Sequence, residues 1–140
     1  ISPPNAEVPF CCLTGVTVAH GSMWQLQSMI KEVTGKNAIL AYAFYGCYCG
    51  LGGKGRPKDA TDRCCEIHDS CYQRLKYYGC CAKIVSYKYY YSHGSVLCGE
   101  LSCDCDRRLV LCLKKNLYSY NKKYRFYLNL CSKPAVQSQL

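Results

Sequence analysis

The chain is 140 residues long, a length that allows one domain, or two at most. Its 14 cysteines are typical of a secreted, disulfide-bonded protein, and their adjacent-pair and C-x-C spacings argue against zinc binding. The formal net charge of +9 favours anionic partners, namely acidic lipid surfaces, sulfated glycans or nucleic acid, over a merely solvated basic face.

The first 21 residues differ in character from the rest of the chain. A short, weakly apolar run leads to Ala19-His20-Gly21, which fits the small-x-small pattern before a signal-peptidase cleavage site. We therefore expect residues 1–21 to be a residual signal peptide or pro-segment, and residues 22–140 to be one domain with a basic C-terminal extension. Removing Cys11 and Cys12 from the 14 cysteines leaves 12, an even number. The sequence contains no run of about 18 apolar residues, so we expect no membrane-spanning helix.

An amphipathic helix is predicted from Met23 to Val33. Its apolar residues recur at helical spacing, at Met23, Leu26, Met29, Ile30 and Val33. Thr34-Gly35 can end the helix, because glycine adopts the left-handed conformation there without strain. Trp24 falls outside the apolar stripe, and an exposed tryptophan in a basic secreted protein is a candidate for insertion into a lipid interface.

A glycine-rich loop follows at residues 45–53, with the sequence Tyr-Gly-Cys-Tyr-Cys-Gly-Leu-Gly-Gly. Glycine lets the backbone curl, and the two cysteines can fix its position. A curled backbone can point carbonyl oxygens at a cation such as Ca²⁺, but the loop has no carboxylate of its own. The alternatives at this point are a plain tight turn or a phosphate-binding loop.

Two long helices are predicted, from about Thr61 to Tyr78 and from about Ser102 to Leu117. Three residues can cap the first of them: Asp59, Thr61 or Asp62. Between the helices, the Val-, Ile- and Tyr-rich segment from Ile84 to Leu97 predicts a β-hairpin. His93-Gly94 interrupts that segment, and we assign His93 to the turn.

The first long helix contains Cys-Cys-Glu-Ile-His-Asp-Ser-Cys-Tyr at residues 64–72. At helical spacing, Cys65, His68 and Tyr72 share one face, with Asp69 beside them. A titratable base and a carboxylate therefore project together from one helix.

Both long helices carry cysteines seven residues apart, so disulfides can link them antiparallel at two levels. The pairs would be Cys71 with Cys105 and Cys64 with Cys112. This pairing places Asp106 beside His68. The chain after Asp106 contains no acidic residue but eight basic ones: Arg107, Arg108, Lys114, Lys115, Lys122, Lys123, Arg125 and Lys133.

Three motifs together resemble those of secreted phospholipase A2, in the family's order and approximate spacing. They are Tyr-Gly-Cys-Tyr-Cys-Gly-x-Gly-Gly at residues 45–53, Cys-Cys-x-x-His-Asp-x-Cys-Tyr at 64–72 and Cys-x-Cys-Asp at 103–106. The resemblance covers residues 22 to about 132 and is strongest to the group V type. Ser70 supports this type, because group II enzymes carry a cysteine there that pairs with a C-terminal cysteine, which this tail also lacks.

The resemblance implies a mainly α, disulfide-rich fold: an N-terminal helix, a calcium loop, two antiparallel disulfide-linked helices and a small two-stranded β-wing. It also implies one Ca²⁺ per chain. The ion would be bound by backbone carbonyls of Tyr48, Gly50 and Gly52 and by the carboxylate of Asp69. The Gly50 N–H would be a second donor to the oxyanion.

The resemblance assigns His68 as the general base that activates water, and Asp106 as the residue that fixes its imidazole. Tyr72 and the N-terminal amine at Ser22, after cleavage, would support that network. Three apolar side chains would line the acyl channel: Met23, Leu26 and Ile30.

The resemblance further implies four disulfides: Cys47–Cys131, Cys49–Cys65, Cys64–Cys112 and Cys71–Cys105. Four cysteines then remain, and they allow three pairings. Because a Cys80–Cys81 bond would be strained, we expect both to pair across to Cys98 and Cys103. Other departures from the family are the extra Cys81, one absent cysteine, Arg63 and Ser102. Leu51 replaces a tryptophan that helps group V enzymes dock to phosphatidylcholine. With the basic tail, this replacement leads us to expect that the protein prefers anionic membranes.

We therefore expect a secreted, extracellular Ca²⁺-dependent phospholipase that acts peripherally at membranes, as a monomer without nucleic-acid partners. It would hydrolyse the sn-2 ester of glycerophospholipids to free fatty acid and lysophospholipid. The alternative is an inactive relative that binds membranes or heparan sulfate. The interfacial and basic contacts would come from Trp24, Leu51, Lys114, Lys115, Lys122, Lys123 and Arg125.

Overall fold

The computed structural model describes residues 21–131, so the predicted leader lies outside this range except for its last residue. The helices are α1 (Gly21–Thr34), α2 (Ala38–Tyr42), α3 (Ala60–Tyr77), α4 (Leu101–Lys115) and α5 (Leu128–Cys131). The strands are β1 (Tyr89–Ser92) and β2 (Ser95–Cys98), and short 3₁₀ turns lie at Ala82–Ile84, Leu117–Ser119 and Lys122–Tyr124. The predicted mainly α, disulfide-rich class is confirmed. None of the helices described is long and apolar enough to cross a bilayer.

Helices α3 and α4 form the centre of the molecule and run antiparallel. Two disulfides link them, Cys64–Cys112 and Cys71–Cys105, at the two levels that their seven-residue spacing predicts. Asp59 is the N-cap of α3, and its side chain accepts a hydrogen bond from the backbone N–H of Asp62. This cap defines where the site-bearing helix begins.

Helix α1 packs against α4 through its apolar face. Met29, Ile30 and Val33 are buried in the main core, as their helical spacing predicts. Met23 and Trp24, one turn earlier, are 57% and 60% exposed. The start of α1 therefore presents large apolar side chains to solvent while its second half is part of the core.

The predicted hairpin is confirmed, but it is shorter than expected. Strands β1 and β2 pair antiparallel from Tyr89↔Cys98 to Ser92↔Ser95. His93 and Gly94 form the two-residue turn, with φ of 50° and 79°, the positive values that a type I′ turn requires. Residues 84–88 were expected to belong to the hairpin but are not strand, because β2 ends at Cys98, opposite Tyr89.

The expected pairing of Cys80 and Cys81 with Cys98 and Cys103 is wrong. Cys98 ends β2 and Cys103 lies in the first turn of α4, and these two residues are disulfide-bonded to each other with a Cα–Cα distance of 5.6 Å. Cys80 is also disulfide-bonded, but to neither of them. The short connection from strand to helix brings Cys98 and Cys103 together locally.

Candidate active site

A hydrogen-bonded histidine–aspartate pair lies between the two central helices. His68 on α3 and Asp106 on α4 are joined by a 2.6 Å contact between Nε2 and Oδ1. The aspartate is fully buried, and the imidazole side chain is 10% exposed. Because an aspartate carboxylate can only accept, Nε2 carries the imidazole proton and Nδ1 offers a lone pair.

Two tyrosines complete the surroundings of Asp106. The hydroxyl of Tyr72 donates to Oδ1 and that of Tyr87 donates to Oδ2, each at 2.5 Å. Burial and the charge of Asp106 raise the pKa of Tyr87 above its ordinary value, so this phenol stays a neutral donor. Three donors, two from α3 and one from the loop before β1, thus surround one carboxylate on α4.

The helical disulfide nearest the pair explains its geometry. Cys71 lies one turn after His68 on α3, and its partner Cys105 directly precedes Asp106 on α4. The bridge therefore fixes the distance between the helices where the base meets its carboxylate. Tyr87 was missed by the sequence reasoning, because nothing local distinguishes it from the other tyrosines of the chain.

Asp69 has a different environment from its neighbour His68. It lines an open groove of about 1180 Å³, and its half-buried carboxylate has one oxygen, Oδ2, that is buried without a hydrogen-bond partner within residues 21–131. Burial raises its pKa to about 6, an effect that the nearby His68 and Lys83 partly oppose. An orphaned carboxylate oxygen beside a groove is the feature expected of a cation ligand.

The glycine-rich loop is folded tightly beside this carboxylate. Gly50 has φ of +70°, and a Cβ there would lie 1.9 Å from the carbonyl oxygen of Ala43, so only glycine fits. The N–H of Gly53 donates to the Cys47 carbonyl at 2.9 Å, and a Cβ at Gly53 would lie 3.8 Å from Asp69 Oδ2. The end of the loop is therefore adjacent to the orphaned oxygen.

Two disulfides attach the first half of the loop to other elements. Cys49 is bonded to Cys65 on α3, and Cys47 is bonded to Cys131 at the C-terminal end of α5. In the described part of the chain, no three His, Cys, Asp or Glu side chains cluster as metal ligands. The Asp69 carboxylate and the backbone carbonyls of the loop are oxygen donors, the ligand type that suits Ca²⁺ better than Zn²⁺.

The groove brings together the four predicted metal ligands and Tyr72, whereas His68 and Asp106 are not in its lining. Its lining includes Tyr48, Gly50, Gly52, Asp69 and Tyr72, and it continues along α3 toward basic side chains. Among these, Lys83 was not expected from the sequence, since no motif contains it. It lines the groove and is near enough to Asp69 to lower the pKa of that carboxylate.

Other predicted residues lie away from this groove. Met23, Leu26 and Ile30 do not line it, and their assignment to an acyl channel stays a prediction. Ser22 lies in α1, and the role of its amine also stays a prediction.

The predicted interfacial and basic residues are mostly at the surface. Trp24 is 60% exposed and Leu51 85%. Arg125 is half-buried and donates to the Tyr120 hydroxyl at 3.5 Å. The four predicted lysines are exposed: Lys114, Lys115, Lys122 and Lys123.

Comparison with known proteins agrees with this geometry. The family model described as phospholipase A2 matches residues 23–125. Phospholipase A2 group V of Homo sapiens is 52% identical, over 84% of this chain and 90% of the relative. The basic phospholipase A2 vurtoxin of Vipera renardi is 49% identical, over 87% of this chain and 90% of the relative. The membrane-associated phospholipase A2 of Homo sapiens is 47% identical, over 82% of this chain and 84% of the relative.

Proposed function

The chain belongs to the phospholipase A2 family, and from this premise we propose that it is a secreted, Ca²⁺-dependent enzyme acting on glycerophospholipids at membrane surfaces. It hydrolyses the sn-2 ester to free fatty acid and lysophospholipid. One observation carries the proposal. A histidine oriented by a buried aspartate adjoins Asp69, and Asp69 lines the groove and has a carboxylate oxygen without a hydrogen-bond partner in the described chain.

The chemistry of the chain's own residues begins at His68. Its Nδ1 takes a proton from water while the water oxygen bonds to the sn-2 carbonyl carbon. Asp106 stabilises the resulting imidazolium through Nε2–H, and Tyr72 and Tyr87 balance the charge of the carboxylate. The Gly50 N–H donates to the oxyanion. When the tetrahedral intermediate collapses, the C–O bond to glycerol breaks and the imidazolium returns its proton to the leaving oxygen.

The donor set fits one Ca²⁺ per chain. Tyr48, Gly50 and Gly52 would supply backbone carbonyls, and Asp69 would supply the carboxylate whose orphaned oxygen needs a positive partner. When bound, the ion supplies Lewis-acid polarisation of the ester carbonyl and attraction for the lipid phosphate. Lys83, on the same groove, adds a second positive charge for that phosphate.

Membrane binding would use the exposed residues around the groove. Leu51 on the loop and Trp24 at the start of α1 offer large apolar surface, and the basic residues attract acidic head groups. We therefore propose an extracellular enzyme that acts as a peripheral monomer, with preference for anionic membranes.

Hydrolysis of anionic vesicles tests this function. Fatty-acid release should require calcium and stop when a chelator is added. Asp69→Lys should abolish turnover and leave vesicle binding, measured by cosedimentation, largely intact. Asp104→Lys makes the same change in charge at a surface position on α4 and should keep activity. Undiminished fatty-acid release after chelation would contradict the mechanism.

A second binding function is favoured by the basic tail. Lysines lie over the rings of tail tyrosines. Lys123 Nζ lies 4.9 Å from the Tyr124 ring centroid, and Lys36 Nζ, from the turn after α1, lies 4.4 Å from that of Tyr120. Such a basic and aromatic surface suits heparan sulfate. It is compatible with catalysis, because the catalytic residues are all intact. Replacing Lys122 and Lys123 with Gln should lower the salt concentration that elutes the protein from heparin, without reducing turnover of monomeric substrate.

A further inference from the structure

Asp62 is a fully buried carboxylate in the first turn of α3, and the catalytic assignment does not use it. Its oxygens accept three backbone hydrogen bonds. Oδ2 accepts from the N–H of Cys47 and of Lys58, each at 2.8 Å, and Oδ1 accepts from the N–H of Tyr48 at 2.9 Å. Two of these three donors belong to the glycine-rich loop.

Gly46 allows the glycine-rich loop to approach this carboxylate closely. Gly46 has φ of +60°, and a Cβ at that position would lie 2.2 Å from Asp62 Cγ. Only a glycine therefore lets the loop pass this close to the aspartate. Within residues 21–131 Asp62 makes no ion pair. Its charge is compensated by the three backbone N–H groups that it accepts from and by the N-terminus of α3.

These bonds act on the backbone segment that would supply carbonyl ligands to the proposed calcium ion. Asp62 fixes the N–H of Tyr48, and the N–H of Cys49 donates to the Tyr45 carbonyl at 3.3 Å. Because a trans peptide directs its N–H and C=O oppositely, the Asp62 contact sets the direction of the Cys47 carbonyl, and the Cys49 contact sets that of the Tyr48 carbonyl. The Cys47 carbonyl in turn accepts from the Gly53 N–H at 2.9 Å, so the peptide that Asp62 holds ties the two ends of the glycine-rich segment together. Asp62 lies two turns before Asp69 on the same helix, so its bonds to the loop also fix the position of the loop relative to the Asp69 carboxylate.

We propose that Asp62 is the positioning residue of the calcium site. It prearranges the Cys47–Tyr48 backbone so that the loop carbonyls and Asp69 meet around one ion. The inference rests on the proposed calcium dependence. It assigns to Asp62 calcium affinity, and not the proton transfer carried out by His68.

Asp62→Asn is the sharpest variant. An amide keeps the size of the side chain, but its oxygen can occupy only one of the two acceptor positions. Its –NH₂ group then faces at least one backbone N–H, a donor against a donor. Asp59→Asn is the matched control, with the same change in charge three residues earlier. There the amide oxygen can keep the cap to Asp62 N–H, while the –NH₂ can donate to the Tyr45 hydroxyl oxygen.

Calcium affinity is measured by isothermal titration calorimetry with calcium chloride, and folding by circular dichroism. We expect Asp62→Asn to weaken calcium binding about tenfold or more, the loss expected from one unsatisfied buried donor. At saturating calcium its kcat should stay within about threefold of the parent. Asp59→Asn should change the calcium affinity by less than about twofold. If calcium affinity fell equally in both variants, the loss of one negative charge would explain the effect and the proposal would be overturned. An unchanged calcium affinity in folded Asp62→Asn would also overturn it.

Amide hydrogen exchange in the unmutated protein tests the same idea if Asp62→Asn does not fold. The amides of Cys47 and Tyr48 should be protected before calcium is added, because Asp62 already binds them. Rapid exchange of both amides in the calcium-free protein would overturn the proposal. An unmutated protein that binds no calcium and hydrolyses vesicles without it would instead contradict the proposed function itself.

Discussion

At the scale of single residues, neighbouring carboxylates in this site have opposite surroundings. Asp106 is buried and saturated with donors from His68, Tyr72 and Tyr87. Asp69 is half-buried and keeps one oxygen without a partner in the described chain. A saturated carboxylate suits the orientation of a base, whereas an unsaturated one suits the binding of a cation.

Asp106→Asn tests the first of these roles. The amide oxygen can keep the contacts to His68 and Tyr72, while the –NH₂ group faces the Tyr87 hydroxyl oxygen. The tautomer is then preserved and only the charge is lost. We expect kcat to fall about 10- to 100-fold, since a hydrogen bond to a charged group contributes about 1.5–3 kcal/mol. Initial rates on mixed micelles measure this effect, and calcium affinity should not change. A folded variant with the parental rate would contradict the assignment.

At the scale of elements, the site depends on how α3 and α4 are linked. Two disulfides connect them, and Cys71–Cys105 is the one whose α4 cysteine directly precedes Asp106. Cys64–Cys112 lies at the other level, toward the C-terminal end of α4. Stability is shared between the two bridges, whereas alignment of His68 with Asp106 depends on the nearer one.

Removing each bridge separately, with alanine at both cysteines, distinguishes these effects. With the other bridge intact, each removal opens a loop of roughly 15 residues and should cost about 3 kcal/mol of unfolding free energy. The loss of kcat should be roughly tenfold larger for Cys71→Ala/Cys105→Ala, because a small misplacement of the base slows the reaction strongly. Guanidinium unfolding and micelle assays measure the two quantities. Equal kcat in two equally destabilised variants would contradict the prediction.

At the scale of the whole molecule, charge and tyrosine content set how the protein responds to its medium. The formal charge is +9, and no acidic residue follows Asp106. Several of the 14 tyrosines pack against one another, among them Tyr42, Tyr45 and Tyr120. The first feature predicts salt-sensitive membrane binding, and the second predicts loss of stability at alkaline pH.

Binding to anionic vesicles should weaken as salt concentration rises, because the attraction is electrostatic. Trp24 is the only tryptophan, so the blue shift of its fluorescence reports binding directly. Replacing Lys122 and Lys123 with Gln should cost about 1 kcal/mol each, or roughly fivefold in partitioning per residue. Binding that does not respond to salt would refute the electrostatic attraction.

Stability should fall between about pH 10 and pH 12. Burial raises the pKa of Tyr42 to about 12, while an unfolded tyrosine loses its proton near 10. In that interval the unfolded chain binds fewer protons than the folded one, so the free energy of unfolding decreases as pH rises. Tyr42→Phe should make this decrease less steep, and Tyr118→Phe, at an exposed position, should not. Thermal unfolding midpoints at pH 8 to pH 11 measure it, and identical slopes in both variants would contradict the cause.

The sequence by itself determined the disulfide-bonded helical class, the glycine-rich loop and the adjacent placement of His68 and Asp69 on one helix. These features depend on residue type and on spacing within one element, where helical geometry relates neighbours directly. The link between the helices also followed from spacing, since equal cysteine intervals match when two helices run antiparallel.

Only the tertiary structure decided which distant groups meet at the site. The Tyr87 hydroxyl at Asp106 and the loop N–H groups at Asp62 both depend on the path of the chain between elements. Local spacing does not encode that path. Packing selects it, because buried polar groups must find partners wherever the folded chain brings them together.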